Sequence, residues 1–109
     1  MDEFQCPCCK KIMLHPLLLQ KLKGLRYKLA KPVMITSGYR CPSYNLEVGG
    51  IKGSYHLLGM AADVYVPGIS LTSLIKVAEE IGFKGIGCYP ERNFLHLDIR
   101  PTRQARWQG

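Results

Sequence analysis

No apolar run in this 109-residue sequence approaches the roughly 20 residues that a membrane-spanning helix needs. There is no internal repeat, low-complexity segment or Ser/Gly-rich linker, so residues 1–109 are expected to form one domain. That length excludes a two-domain enzyme with a separate cofactor-binding half. The start, Met1-Asp2-Glu3-Phe4-Gln5-Cys6, is acidic and lacks the basic residues and apolar stretch of a signal peptide. Synthesis in the cytoplasm is therefore expected, with any export by another route. Acidic residues are few, 8 against 15 Lys+Arg, for a net charge of +7. The excess is scattered through Lys10–Lys31 and Arg100–Arg106 without a long basic run, as solvated faces would be. It would also suit an anionic partner such as nucleic acid, a membrane surface or an acidic cell-wall polymer. Of the six tyrosines only Tyr27 and Tyr39 lie near basic clusters, which makes no base-stacking platform, so nucleic acid is not the expected partner.

What is present is globular: 47% hydrophobic and 21% charged residues leave enough apolar surface to build a core. Leu18, Leu22, Leu25 and Leu29 follow helical spacing, with Pro16 suited to the first turn and Pro32 marking the end. Val33–Thr36 reads as a strand, Pro42–Val48 as a short helix stopped by Gly49-Gly50, and Met60–Val66 as a second strand closed by Pro67-Gly68. Ser70 is a fitting cap for a helix over Leu71–Ile81, with Gly82 as its stop. Gly85–Tyr89 and Phe94–Ile99 read as two further strands. Helices and strands are mixed without regular strand–helix–strand units. The expected class is α+β, a small, mainly antiparallel sheet with flanking helices.

The sequence holds three histidines, and two keep informative company: His56 stands seven residues before Asp63, and His96 two before Asp98. Two imidazoles and one carboxylate, His56, Asp63 and His96, make a three-ligand zinc set with a fourth position open, the catalytic type of site. Gly59 permits a tight turn after His56, and the strand that follows brings Asp63 back beside it. On spacing alone, hydrogen-bonded core histidines account for these residues as well.

The wider pattern is ordered: Ser37-Gly38-Tyr39-Arg40, Asn45, Val48-Gly49-Gly50, Ser54-x-His56-x-x-Gly59-x-Ala61-x-Asp63, then His96-x-Asp98-x-Arg100. From Phe4 to Trp107 this series resembles the zinc D-alanyl-D-alanine carboxypeptidase family, especially its short phage and prophage branch. It is also similar to murein endopeptidases with a His-x-Asp end and a downstream Arg-Trp, here Arg106-Trp107. The resemblance implies one zinc per chain on His56, Asp63 and His96, and cleavage of peptide bonds beside D-amino acids in peptidoglycan stems or cross-links. It implies the small α+β fold shared with the hedgehog signalling domain. The expected chain is a monomer that works on the cell wall after release or within a phage particle.

Many relatives place Glu or Asp three residues before the last zinc histidine, as general base. Here that position is Asn93, which takes no proton at neutral pH. Asp98 should share the strand face of His96, so it is the candidate base, ligand or orienting group, or else an ion-pair partner of Arg40 or Arg100. Glu91 is the reserve base. Arg40, after a strand and a Gly-Tyr turn, is placed to bind a substrate carboxylate or stabilise an oxyanion, with a surface ion pair as the plainer role. Tyr39 and Ser54 are expected to line the same pocket, although Ser54 also suits a turn. The missing acid supports an alternative, a zinc-containing wall-binding or structural module without catalysis.

Five cysteines is an odd number, so a complete disulfide framework within the chain is impossible and reduced thiols are expected. Cys6 and Cys9 have zinc-knuckle spacing, but no second pair answers them; Cys41 and His15 would have to complete a site. Buried thiols, or a disulfide formed after release from the cell, are the favoured reading.

Overall fold

A computed structural model describes residues 2–109; Met1, in the acidic start, lies outside the described residues. Helix α1 spans Pro16–Leu29, strand β1 Met34–Ser37, α2 Pro42–Glu47, β2 Ala61–Tyr65, α3 Leu71–Ile81, β3 Gly85–Tyr89, β4 Phe94–Asp98 and β5 Ala105–Gln108. Three short 3₁₀ turns, Asp2–Phe4, Tyr55–Leu58 and Pro90–Arg92, punctuate them. Among the described residues no helix is long and apolar enough to cross a membrane.

The helices begin and end where local chemistry dictates. Pro16 opens α1, where its missing N–H costs nothing, and His15 Nδ1 caps it by accepting from the Leu17 amide. Arg26 and Lys28 fall in the last turn, where cations suit the helix dipole. Ser70 caps α3 through the Ser73 amide, and Gly82 ends it at φ 98°, a conformation that costs glycine little.

The five strands lie in the order β1-β2-β4-β3-β5; every pairing is antiparallel except β3 with β5, which is parallel. Because side chains alternate along a strand, the sheet has two distinct faces. On one, Ala62, Val64, Ile86, Leu95 and Leu97 join Leu18, Leu22 and Leu25 of α1 and Leu74 and Ala78 of α3 in the core. The other face carries the polar residues. Its rows follow from the register: Ser37 stands opposite Asp63, Asp63 opposite His96, His96 opposite Gly87, and Gly87 opposite Trp107. One step along, Ala61, Asp98, Gly85 and Ala105 form a parallel row.

The expected α+β class and antiparallel centre are what the fold contains. Strand β5 was outside the sequence expectation. Its four residues, Ala-Arg-Trp-Gln, include no β-branched side chain and no turn signal; pairing with β3 makes it a strand.

Candidate functional site

Asp63 and His96 are brought together by the β2–β4 register, which sets them directly opposite each other on neighbouring central strands. His56 arrives from the 3₁₀ turn Tyr55–Leu58. Ser54 starts that turn by accepting from the His56 amide at 3.2 Å, and Gly59 ends it at φ 68°. A Cβ at Gly59 would press on the Met13 carbonyl oxygen, so glycine is needed there for space as well as conformation.

The histidine tautomers follow from their partners. His56 Nδ1 lies 2.8 Å from the Gly38 carbonyl oxygen, which can only accept, so Nδ1 carries the proton and Nε2 the lone pair. His96 Nε2 lies 2.7 Å from Asp98 Oδ2, so its proton sits there and Nδ1 is free to act as a donor atom. Both free nitrogens face the same carboxylate oxygen, Asp63 Oδ1, at 3.1 Å from His56 Nε2 and 3.3 Å from His96 Nδ1. Three lone pairs thus converge in a buried site where His56 is 1% and Asp63 5% exposed. Like lone pairs repel, and the arrangement is relieved by protonating an imidazole or by placing a cation among them. The three ligand atoms lie within 4.8 Å of one another, and each histidine has its second nitrogen fixed by an oxygen, as metal-binding histidines do. The donor set fits a divalent metal.

The chain's own electrostatics show the relief that imidazole protonation gives. Burial opposes ionisation of Asp63, but the hydrogen bonds and charge of His56 and His96 outweigh it and hold the carboxyl well below the usual carboxylate range. Burial would depress the His96 imidazole, yet Asp63 and Asp98 push it up.

Asp98 is fully buried, and its oxygens are taken. Oδ1 accepts from the Arg100 amide and Nε, at 3.1 and 2.9 Å; Oδ2 accepts from Arg100 Nη2 and His96 Nε2, each at 2.7 Å. Burial raises its pKa; Arg100 first and then His96 bring it down, well below the ordinary value. Of the roles open to Asp98 in sequence, these are the contacts of the orienting group, with Arg100 and not Arg40 as its ion-pair partner. Gly85 makes the room: a Cβ there would overlap the Asp98 carboxylate. Gly85→Ala should therefore push Asp98 off His96 and weaken divalent-metal affinity by about 10-fold, the lower range for losing an outer partner of a ligand. A metal titration giving wild-type affinity would refute that coupling.

Arg40 is held by three partners: Ser37 Oγ at 3.0 Å, Asn45 Oδ1 at 3.3 Å and Asp63 Oδ2 at 3.0 Å. Its guanidinium thus fixes the Asp63 oxygen that does not face the histidines. The site opens on a cavity of about 360 Å³ walled by Arg40, Ser54, Tyr55, Arg100 and Trp107 among others. An adjoining cavity of about 590 Å³ shares Arg40, Asp63 and Phe94 and reaches Asn93. Ser54 both caps the His56 turn and lines the first cavity, so its two sequence readings hold together.

Two expectations are corrected. Tyr39 lines neither cavity; it is buried, and its amide bonds the Phe4 carbonyl on the opposite side of the loop that carries Arg40. Glu91 is exposed and outside both cavities, so Asp63 is the one acidic residue lining either. His15 caps α1 and stands apart from the cysteines. Asn93 sits at φ 55°, a left-handed position that asparagine tolerates and that the chain needs to turn into β4.

The residues missed in sequence come from β3, β5 and the His56 turn. Gly87 leaves space for the Trp107 indole, whose ring centroid lies 5.1 Å from that of His96 and whose Nε1 donates to Tyr89 at 2.9 Å. The Arg100 guanidinium lies between Tyr55 and Trp107, 4.8 and 5.2 Å from their ring centroids. The Arg-Trp pair near the C-terminal end was legible only as a family feature; its position beside His96 depends on the unforeseen strand.

Comparison with known proteins agrees with this geometry. The family model described as Peptidase M15 matches residues 3–98. The chain is 41% identical over 90 residues to the peptidoglycan L,D-endopeptidase MepK of Escherichia coli (strain K12), covering 78% of this chain and 47% of that protein. It is 33% identical over 104 residues to a Haemophilus influenzae protein named "Probable peptidoglycan L,D-endopeptidase MepK", covering 88% of this chain and 55% of that one. It is 33% identical over 67 residues to the zinc D-Ala-D-Ala carboxypeptidase of Streptomyces albus G, covering 61% of this chain and 26% of that one. The chain spans about half the length of the endopeptidases it matches.

Proposed function

Because the chain belongs to the peptidase M15 family, we propose that it is a zinc peptidase acting on peptidoglycan peptides, with His56 Nε2, Asp63 Oδ1 and His96 Nδ1 holding the metal. The observation that carries this reading is the convergence of three lone pairs whose tautomers are set by Gly38 and Asp98. Zinc, when bound, would supply a Lewis acid that polarises a carbonyl and makes water a nucleophile near neutral pH.

The chain's own residues do the rest. Asp98, locked by Arg100, holds His96 with Nδ1 turned inward and serves as a positioning residue. Arg40 holds Asp63 and presents the remainder of its fork to the cavity, where a substrate carboxylate or a developing oxyanion would find it. Tyr55, Arg100 and Trp107 wall the cavity beside the Asp98–His96 pair. The names of the relatives support cleavage beside a D-amino acid, and the 41% match favours an internal L,D bond.

Arg40→Lys keeps the charge but cannot reach Ser37, Asn45 and Asp63 together. Turnover at saturating zinc should fall by about 100-fold, the loss expected when one oxyanion donor is removed. Near-normal kinetics would confine Arg40 to holding the fold.

Asn93 at the usual acid position, with no carboxylate but Asp63 lining the cavities, favours a second reading: a module that binds wall peptides without cutting them. Mass spectrometry of defined muropeptides incubated with the zinc-loaded protein separates the two. A mass loss identifies the bond cut; muropeptides bound and returned intact would establish the binding module.

A further inference from the structure

A second cluster of metal-ligating side chains lies outside the site described. The ligand atoms of Cys6, Cys9 and Cys41 lie within 4.8 Å of one another. Sulfurs around a tetrahedral zinc stand roughly 3.8 Å apart, from a Zn–S bond of about 2.3 Å. Cys8 lies in the same turn between Cys6 and Cys9, exposed and outside that three-sulfur group, and is the nearest further thiol in the sequence.

The backbone around the cluster is built as a knuckle. Gln5 and Ile12 form a β-bridge, the Cys6 amide donates to the Lys11 carbonyl at 2.8 Å, and the Lys10 amide returns to the Cys6 carbonyl at 2.9 Å. Lys10 takes φ 65°, which tightens the turn over Cys6-Pro7-Cys8-Cys9. The Cys41 amide reaches Cys6 Sγ at 3.4 Å from the segment after β1. Amides aimed at a sulfur stabilise a thiolate, the form that binds metal. Cys41 stands at the start of α2, yet its side chain makes no capping bond, which leaves its sulfur free for the cluster.

The segment before α1 is short of regular structure, although the Glu3–Arg26 ion pair and the Tyr39–Phe4 and His15–Gly59 backbone bonds also tie it to the fold. Its ordered structure is a 3₁₀ turn and one bridge, and Phe4 and Cys6 are its buried residues. A disulfide would use two of the gathered sulfurs and leave the others; a soft cation uses all of them. We propose that Cys6, Cys9 and Cys41, with Cys8 as fourth ligand, form a structural site for one zinc-class cation. This ion pins the N-terminal knuckle to the Gly38–Cys41 loop. Each thiol gives up its proton to solvent on binding, with no redox change. That loop carries the Gly38 oxygen that fixes His56 and the guanidinium that fixes Asp63, so the ion would brace the first site from behind.

Cobalt(II) provides a test independent of peptidase activity. The reduced full chain loaded with cobalt should show sulfur-to-metal charge-transfer absorption in the near ultraviolet. The band should persist in His56→Ala and vanish in Cys9→Ser, and elemental analysis of the zinc forms should give two ions per wild-type chain and one in each variant. Should Cys9→Ser fail to fold, thiol labelling of the wild type decides: zinc should markedly slow the reaction of Cys6, Cys8, Cys9 and Cys41, whose thiolates it would hold, and leave Cys88 unchanged. Absence of the band in the wild type, equal labelling with and without zinc, or a disulfide among these cysteines in anaerobically prepared protein would overturn the proposal.

Discussion

His56→Ala should lower zinc affinity by more than about 100-fold, the upper range for losing only an outer partner of a ligand, and peptidase turnover should disappear with the metal. His56 is 1% exposed, and both its nitrogens are committed, Nδ1 to the Gly38 oxygen and Nε2 to the lone-pair cluster. Alanine deletes one ligand and strands a buried carbonyl, which costs roughly 1–3 kcal/mol of stability. Zinc titration with a competing chelator and urea unfolding would measure the two losses separately. A variant that unfolds like wild type and still carries zinc at Asp63 and His96 with undiminished affinity would show that His56 is a satisfied core histidine.

Asp98→Asn should weaken zinc binding by about 10–100-fold and reduce turnover in step with it. The amide matches the carboxylate in shape but not in hydrogen-bonding capacity. If its oxygen accepts from His96 Nε2, its nitrogen faces Arg100; turned the other way, it sets donor against donor at His96. One partner is displaced in either case, and a charged group loses its counter-ion in a buried place, a change worth about 3 kcal/mol or more. The signature that distinguishes positioning from acid–base catalysis is zinc rescue. Turnover should recover substantially at saturating zinc if Asp98 positions His96. Zinc affinity unchanged alongside a loss of at least about 100-fold in turnover would make Asp98 the base.

The residue types of the site were legible in the sequence because two imidazoles and a carboxylate around a glycine turn form an unusual combination in a chain with three histidines. Asp98 was legible as a neighbour of His96, since alternate strand residues share a face. Its partner was not. Arg40 and Arg100 are equally plausible from spacing, and the choice is made by the β2–β4 register and by the space at Gly85. The Gly38 carbonyl that sets the His56 tautomer was invisible for a different reason: it is a backbone group eighteen residues away, and no side-chain pattern marks it. Tyr39 was misplaced because an aromatic beside Arg40 reads equally well as pocket wall or as core. The Phe4 carbonyl decides it, by drawing the Tyr39 backbone toward the N-terminal segment. Helix ends were the most readable features, for Pro16, Ser70 and Gly82 act locally.

The zinc proposed above is one ion shared by His56 Nε2, Asp63 Oδ1 and His96 Nδ1. Anomalous diffraction from crystals of the zinc-loaded protein, recorded on either side of the zinc absorption edge, tests this most directly. An edge-dependent peak is expected among these three atoms, at bonding distance from each of them, about 2.0–2.2 Å. Crystals that show no such peak, with His56 and His96 bonded directly to an Asp63 carboxylate and no ion between them, would contradict it.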